Sequence, residues 1–195
     1  MTATSKILAL SGSSRSGSFN TQALQVAVAG AKAAGAEGSV VDLNDYPLPI
    51  YNGDLEEAEG LPENAAKLQS IFAAHDGFLM ASPEYNGFFS PLLKNTLDWV
   101  SRLPDEAPEP FSGKVAAIMS ASPGGLGGMR GLVHVRQLLT NLGMIVLPDQ
   151  VAISSAHQVF DESGALTDER KKKQLEVLGA KLAEVARKLS GKWEY

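Results

Sequence analysis

Ser11-Gly12-Ser13-Ser14-Arg15-Ser16-Gly17-Ser18-Phe19-Asn20 is the stretch on which the reading of this chain turns. The apolar run Lys6-Ile7-Leu8-Ala9-Leu10 leads into it, and an amphipathic stretch, Thr21 to Ala34, leads out. A buried strand that stops in a glycine- and serine-rich turn and restarts as a helix gathers backbone N–H groups and hydroxyls around one point. That point is also the positive end of the helix macrodipole, so the turn suits a phosphate. Gly12 and Gly17 have the spacing that opens a nucleoside-triphosphate loop, but Ser18 and Phe19 follow. The lysine and the magnesium-binding hydroxyl are missing. The dinucleotide fingerprint fails as well, because Ser14 stands where its second glycine belongs. What remains is five serines, one arginine and one asparagine, with Arg15 as the charged donor and no metal. A terminal monophosphate fits that set best. The competing reading is a serine-rich turn that only caps a helix.

Outward from the turn, strands and helices alternate. Ile7–Leu10 reads as the first strand, Asn20–Ala34 as a helix ended by Gly35, and Gly38–Leu43 as the second strand. Asn44–Pro62, rich in proline, glycine and acid, reads as an irregular surface excursion. A helix over Glu63–Ala74, a strand over Gly77–Ala81 and a loop over Pro83–Phe89 follow. Ser90 and Pro91 give a strong start to a helix over Ser90–Arg102. A linker, Leu103–Pro110, leads to a strand over Lys114–Ser120, a helix over Met129–Leu142, a strand over Met144–Ile153 with a break at Pro148, and a final helix over Thr167–Ser190. Five short apolar strands with helices between them specify one doubly wound parallel α/β domain with helices on both faces.

In such sheets ligands sit beyond the carboxyl ends of the strands. Three loops lie there, and all three are unusual in composition. Beside Ser11–Phe19 stands Ser82-Pro83-Glu84-Tyr85-Asn86-Gly87-Phe88-Phe89, with a rigid start, an amide, an aromatic ring and a glycine that lets the backbone turn against a flat ligand. The third loop, Ser120–Gly128, has four glycines within five residues; it permits close approach by a ring edge and offers N–H groups to negative charge.

The 195 residues carry a net charge of −5 and no cysteine. Thiol catalysis, disulfides and thiolate metal sites are excluded, and nucleic acid is a poor fit as main partner. No signal-like start or membrane-length apolar run is seen, so the expected location is cytoplasmic, with no membrane partner. His75, His134 and His157 lack metal-ligand spacing and read as structural or surface groups. Lys94 and Asp98, four apart, read as an ion pair; Trp99 and Phe88 suit either a core or a dimer surface. Lys171–Lys173 reads as a solvated face.

Four segments together resemble the NADPH-dependent FMN reductase family, and within it the bacterial quinone and chromate reductases and azoreductases. They are Gly12-Ser-Ser-Arg-Ser-Gly-Ser-Phe-Asn20, Pro83-Glu-Tyr-Asn-Gly87, Pro91-Leu-Leu-Lys-Asn-Thr-Leu-Asp-Trp99 and the Ser120 to Gly128 loop. The resemblance runs from the first strand to about Val151. It implies a flavodoxin-like fold with strand order 2-1-3-4-5, bound FMN, NADPH or NADH as electron donor, and a homodimer or homotetramer whose neighbouring chain completes the pocket. It implies that Ser13, Arg15, Ser18 and Asn20 bind the FMN phosphate with Ser16 or Gly17 assisting. Pro83, Glu84, Tyr85 and Asn86 would line the isoalloxazine, and Ser120, Gly124 and Gly125 would border the ribityl and pyrimidine side. The implied reaction is hydride transfer from NAD(P)H to flavin N5, then electron release to a small acceptor: a quinone, an azo compound, free flavin or a metal oxyanion such as chromate. The flavin carries the chemistry, so no side chain is named as catalytic. A 2′-phosphate of NADPH would be sought among Arg15, Arg102, Arg130 and Arg136. The rival function is a flavodoxin-type electron carrier without a nicotinamide site.

Overall fold

The computed structural model describes residues 4–102 and 107–189. Five strands form one parallel sheet in the order β2-β1-β3-β4-β5: β1 (Lys6–Ser11), β2 (Glu37–Val41), β3 (Gly77–Ala81), β4 (Val115–Ala121) and β5 (Ile145–Ile153). This is the expected order. Between and after them run α1 (Phe19–Ala33), α2 (Gly53–Glu59), α3 (Glu63–Ala73), α4 (Pro91–Val100), α5 (Met129–Asn141), α6 (Ala156–Val159) and α7 (Glu169–Leu189). Residues 103–106 of the expected linker and Ser190 of the expected last helix lie outside the described residues.

Successive side chains of a strand point to opposite faces, so each buried strand feeds two cores. Ile7, Ala9, Leu79 and Ala81 pack with α1 and α7; Leu8, Leu10, Phe78 and Met80 pack with α3, α4 and α5. The sheet is thus covered on both faces. On the first, two glycines set the spacing of the helices. A β-carbon at Gly179 would fall on the Ala27 carbonyl, and one at Gly30 would fall on the Glu176 carbonyl. Glycine inside a helix costs about 1 kcal/mol of propensity, and close contact of α1 with α7 offsets it.

Ser90 starts α4 as expected: its Oγ accepts from the Leu93 N–H at 3.2 Å and donates to the Gly12 carbonyl, with Pro91 at the first helical position. That single residue ties α4 to the turn after β1.

Two expectations need correction, and one left open is decided. The excursion over 44–62 contains a short helix, α2, capped by Asn52. The excursion is pinned to α4: Trp99 Nε1 and Asn95 Nδ2 each donate to the Pro49 carbonyl at 2.8 Å, and Tyr51 packs edge-on against Trp99. Trp99 is fully buried and belongs to the core, whereas Phe88 is half exposed. Pro148 does not break β5. The strand bulges there: Ala116 pairs with Val146, and the next pairing is Ile118 with Gln150. Proline has no N–H to give a ladder, and an edge strand tolerates that loss at a bulge. Arg136 satisfies the exposed carbonyls, its guanidinium donating to Val146, Leu147 and Pro148 and to Gln150 Oε1.

Candidate functional site

The three loops meet beyond the carboxyl ends of β1, β3 and β4. The first is built by local hydrogen bonding. Gly12 N–H continues the sheet to Ala81 O at 2.8 Å. Ser11 Oγ then accepts from the Ser13 N–H, and Ser13 Oγ from the Arg15 N–H. Gly17 takes φ +67°, a left-handed turn that places Ser18 as N-cap of α1, where its Oγ accepts from the Thr21 N–H at 3.4 Å. Ser13 and Ser18 are buried, whereas Arg15 and Ser16 reach solvent. Among the described residues no side chain holds the Arg15 guanidinium by a hydrogen bond or ion pair.

In the second loop, Tyr85 and Phe88 exchange backbone hydrogen bonds at 2.9 and 3.0 Å around Asn86 (φ 53°) and Gly87 (φ 86°). This is a tight turn with both central residues left-handed, the conformation that Asn-Gly favours. It holds Tyr85 and Phe88 out at 45% and 53% exposure. The Phe88 ring stacks on His134 of α5, centroids 3.9 Å apart.

The third loop divides into two kinds of glycine. Gly127 and Gly128 are buried and left-handed; a β-carbon on either would collide with Ile153 and Ser154 backbone or with Ser120. Gly124 and Gly125 are exposed, and a β-carbon at Gly125 would meet nothing within 4 Å. The first pair shapes the loop. The second leaves open space.

One cavity of about 170 Å³ is walled by all three loops: Ser13, Arg15, Gly17, Ser18, Phe19 and Asn20 from the first, Pro83, Glu84 and Tyr85 from the second, Ala121, Ser122 and Pro123 from the third. A second, of about 340 Å³, shares Ser13, Arg15, Gly17 and Ser18, adds Ser16, and runs toward Val41 and Asp42 after β2. A larger cavity of about 380 Å³ lies between β5 and α7, holds the Lys181–Asp149 ion pair and touches none of the three loops. Size does not pick out the site; convergence does.

Three expected ligand-facing side chains are turned away from the cavity, two of them to other partners. Asn20 is 4% exposed, and its amide is spent on β4: Nδ2 donates to Ala121 O and Oδ1 accepts from Ala121 N–H, both at 2.9 Å. It clamps the first loop to the third rather than offering its amide to a phosphate. Ser120 is fully buried beneath Gly128 and its Oγ has no partner, so it borders no open space. Glu84 lines the cavity but turns its carboxylate to α5, accepting from Arg130 Nε at 2.8 Å and from the Gly131 N–H at 3.0 Å. Burial pushes that carboxyl up, but the Gly131 N–H and the Arg130 guanidinium outweigh it and hold it below the usual range. Asn86 serves the turn, and Gly124 and Gly125 are exposed; none of the three is in the lining of the three-loop cavity.

Of the four arginines considered for a 2′-phosphate, Arg136 is committed to β5, Arg130 to Glu84, and Arg102 lies over the Tyr51 ring. Arg15 alone among them borders the cavity with no side-chain partner. His75, two residues past α3, contacts the Ile71 carbonyl in the last turn of that helix. Phe19, Ser122 and Pro123 also line the cavity, and each lies inside a loop that the sequence singles out without a role being assigned to it. The signal that could have found them is their place within the first and third loops.

Hydroxyls, N–H groups at a helix start, one free guanidinium and an open glycine edge suit a phosphorylated, flat cofactor. A model of the NADPH-dependent FMN reductase family matches residues 5–158, a span that contains all three loops. An NAD(P)H-dependent FMN reductase of Pseudomonas aeruginosa is 42% identical over 166 residues, 85% of this chain and 86% of that protein. An NAD(P)H:quinone oxidoreductase of Solanum tuberosum is 37% identical over 194 residues, 97% of this chain and 96% of that one. Among solved structures, a flavoenzyme NAD(P)H:(acceptor) oxidoreductase from Paracoccus denitrificans has a TM-score of 0.79 at 26% identity, covering 94% of this chain and 98% of its own.

Proposed function

Because this chain belongs to the NADPH-dependent FMN reductase family, we propose that the three-loop cavity holds FMN and that the protein reduces small acceptors with electrons from NADPH or NADH. The observation that carries this reading is a cavity reached by all three loops, with the unpaired Arg15 at its phosphate end. FMN, when bound, supplies hydride acceptance from a nicotinamide and electron release to an acceptor.

The residues divide that work. Ser13 and Ser18 hydroxyls, the N–H groups of Ser16 to Ser18 and the Arg15 guanidinium hold the phosphate at the start of α1. Pro83 and Tyr85 wall the ring, and the Asn86–Gly87 turn fixes their direction. Gly124 and Gly125 leave backbone, not side chain, against the ribityl and pyrimidine side. Asn20 keeps the first and third loops in register.

Quinones and free flavin are the favoured acceptors; azo compounds and metal oxyanions such as chromate are further candidates for an open ring. The second and third loops and the start of α5 expose apolar side chains: Tyr85, Phe88, Leu126, Met129 and Val133 are all 45% exposed or more. Such a patch supports a homodimer or homotetramer in which a second copy covers it and completes the pocket.

The test is to load the protein with FMN, exclude air, and add NADPH or NADH while following the flavin colour. Rapid bleaching is expected with at least one of them. Bound flavin that stays yellow makes the protein an electron carrier, and failure to take up FMN defeats the reading.

A further inference from the structure

We propose that the Glu84 carboxylate is a positioning residue that locks the turn after β3 to the N-terminus of α5 and, by its charge, sets the site's preference between oxidised and reduced FMN. This rests on the reading that the three-loop cavity holds FMN.

Glu84 stands between Pro83 and Tyr85 in the cavity wall, and its side chain is only 7% exposed. Both carboxylate oxygens are engaged. Oε1 accepts from Arg130 Nε at 2.8 Å, and Oε2 accepts from the Gly131 N–H at 3.0 Å. The N-cap of α5 is Gly128, which has no side chain to satisfy the first N–H groups of the helix. Glu84 provides that missing acceptor from 47 residues away. Gly131 is shaped to receive it: a β-carbon there would come within 3.3 Å of Glu84 Cγ and 3.2 Å of the Phe88 carbonyl. One carboxylate therefore ties the second loop to the start of the helix that follows the third.

The pair is not neutral as seen from the cavity. Arg130 is 66% exposed, so water and salt screen the guanidinium while the carboxylate stays covered. A covered negative charge in the wall opposes the extra negative charge that reduced FMN carries on its ring. Glu84 remains ionised at neutral pH, because Gly131 and Arg130 outweigh the cost of its burial.

Dissociation constants for FMN, and for FMN reduced with dithionite without air, are compared in the wild type, Glu84→Gln and Arg130→Gln. Glu84→Gln removes the charge at constant shape. The ratio of the two constants should move toward reduced FMN by roughly three- to tenfold, the effect of removing one partly screened unit charge. Arg130→Gln uncovers the carboxylate and should move the ratio the other way, by about twofold, because the guanidinium is already screened. A purely structural latch would weaken both forms of FMN alike in both variants. An unchanged ratio, or shifts of the same sign, overturns the proposal. If Glu84→Gln fails to fold or bind, the sign of the Arg130→Gln shift decides alone. A wild type that binds neither form of FMN overturns the reading of the cavity, and the role of Glu84 with it.

Discussion

Replacing Asn20 by alanine should cost far more stability than the change of one side chain on the first turn of a helix ordinarily does. Asn20 and Ala121 are each 4% exposed, and two 2.9 Å hydrogen bonds join the amide to both backbone groups of Ala121. Alanine leaves a buried N–H and a buried C=O without partners at the end of β4. Each orphaned group costs about 1–3 kcal/mol, so the pair costs roughly 2–6 kcal/mol. Against a total of ~5–15 kcal/mol, that is a large fraction of the stability of the domain. At roughly 2–4 °C per kcal/mol for a chain of this size, the midpoint of thermal unfolding should fall by about 4–24 °C. Urea unfolding followed by circular dichroism measures the free energy directly, and Ser16→Ala, at an exposed position of the same loop, is the control, expected within ~0.5 kcal/mol of wild type. A loss below about 1 kcal/mol for Asn20→Ala would refute the clamp and return the Asn20 amide to the phosphate.

Arg15→Ala should leave folding intact and weaken FMN binding by about 10- to 100-fold, the worth of one charge-assisted hydrogen bond, as read by titration of flavin fluorescence. Unchanged retention would move the anion-binding role elsewhere. Arg136→Met removes four hydrogen bonds from the β5 bulge and should cost roughly 2–4 kcal/mol, with faster hydrogen exchange in β5. Burial lowers the Lys114 ammonium to about 8, against its hydrogen bonds to the Phe72 and Ala73 carbonyls and the charges of Asp76 and Glu109. Between that value and the ordinary 10.5 the unfolded chain binds the extra proton, so the Lys114 contribution to stability rises with pH across that window. The difference in unfolding free energy between wild type and Lys114→Met, measured in a pH series, should grow from pH ~8 upward; a flat difference contradicts it.

Much of this was legible in the residues. The run from Lys6 to Leu10 into a serine and glycine turn, and the Ser90-Pro91 helix start, state local physics that the folded chain keeps. The rest depends on partners distant in sequence. An amide on the first turn of a helix reads the same whether it faces a ligand or a strand, so Asn20 betrays nothing of Ala121. Glu84 in a turn looks free until α5 arrives with Arg130 and Gly131. Ser120 sits at a buried strand end, and only the fold of Gly127 and Gly128 over it shows that it is roofed. The helix α2 has no buried residue of its own, so no apolar period announces it; Tyr51, Asn95 and Trp99 hold its segment in place. The bulge at Pro148 looked like a break because proline removes a ladder donor, and Arg136 supplies what the sequence position alone cannot.

Hydrogen exchange with and without FMN tests the assignment of the cavity most directly. The account predicts that one ligand slows exchange at the backbone amides of residues 13–21, 84–88 and 122–127 together, with the helices α3 and α7 unaffected. Protection confined to one of these segments, or found instead between β5 and α7, would contradict it.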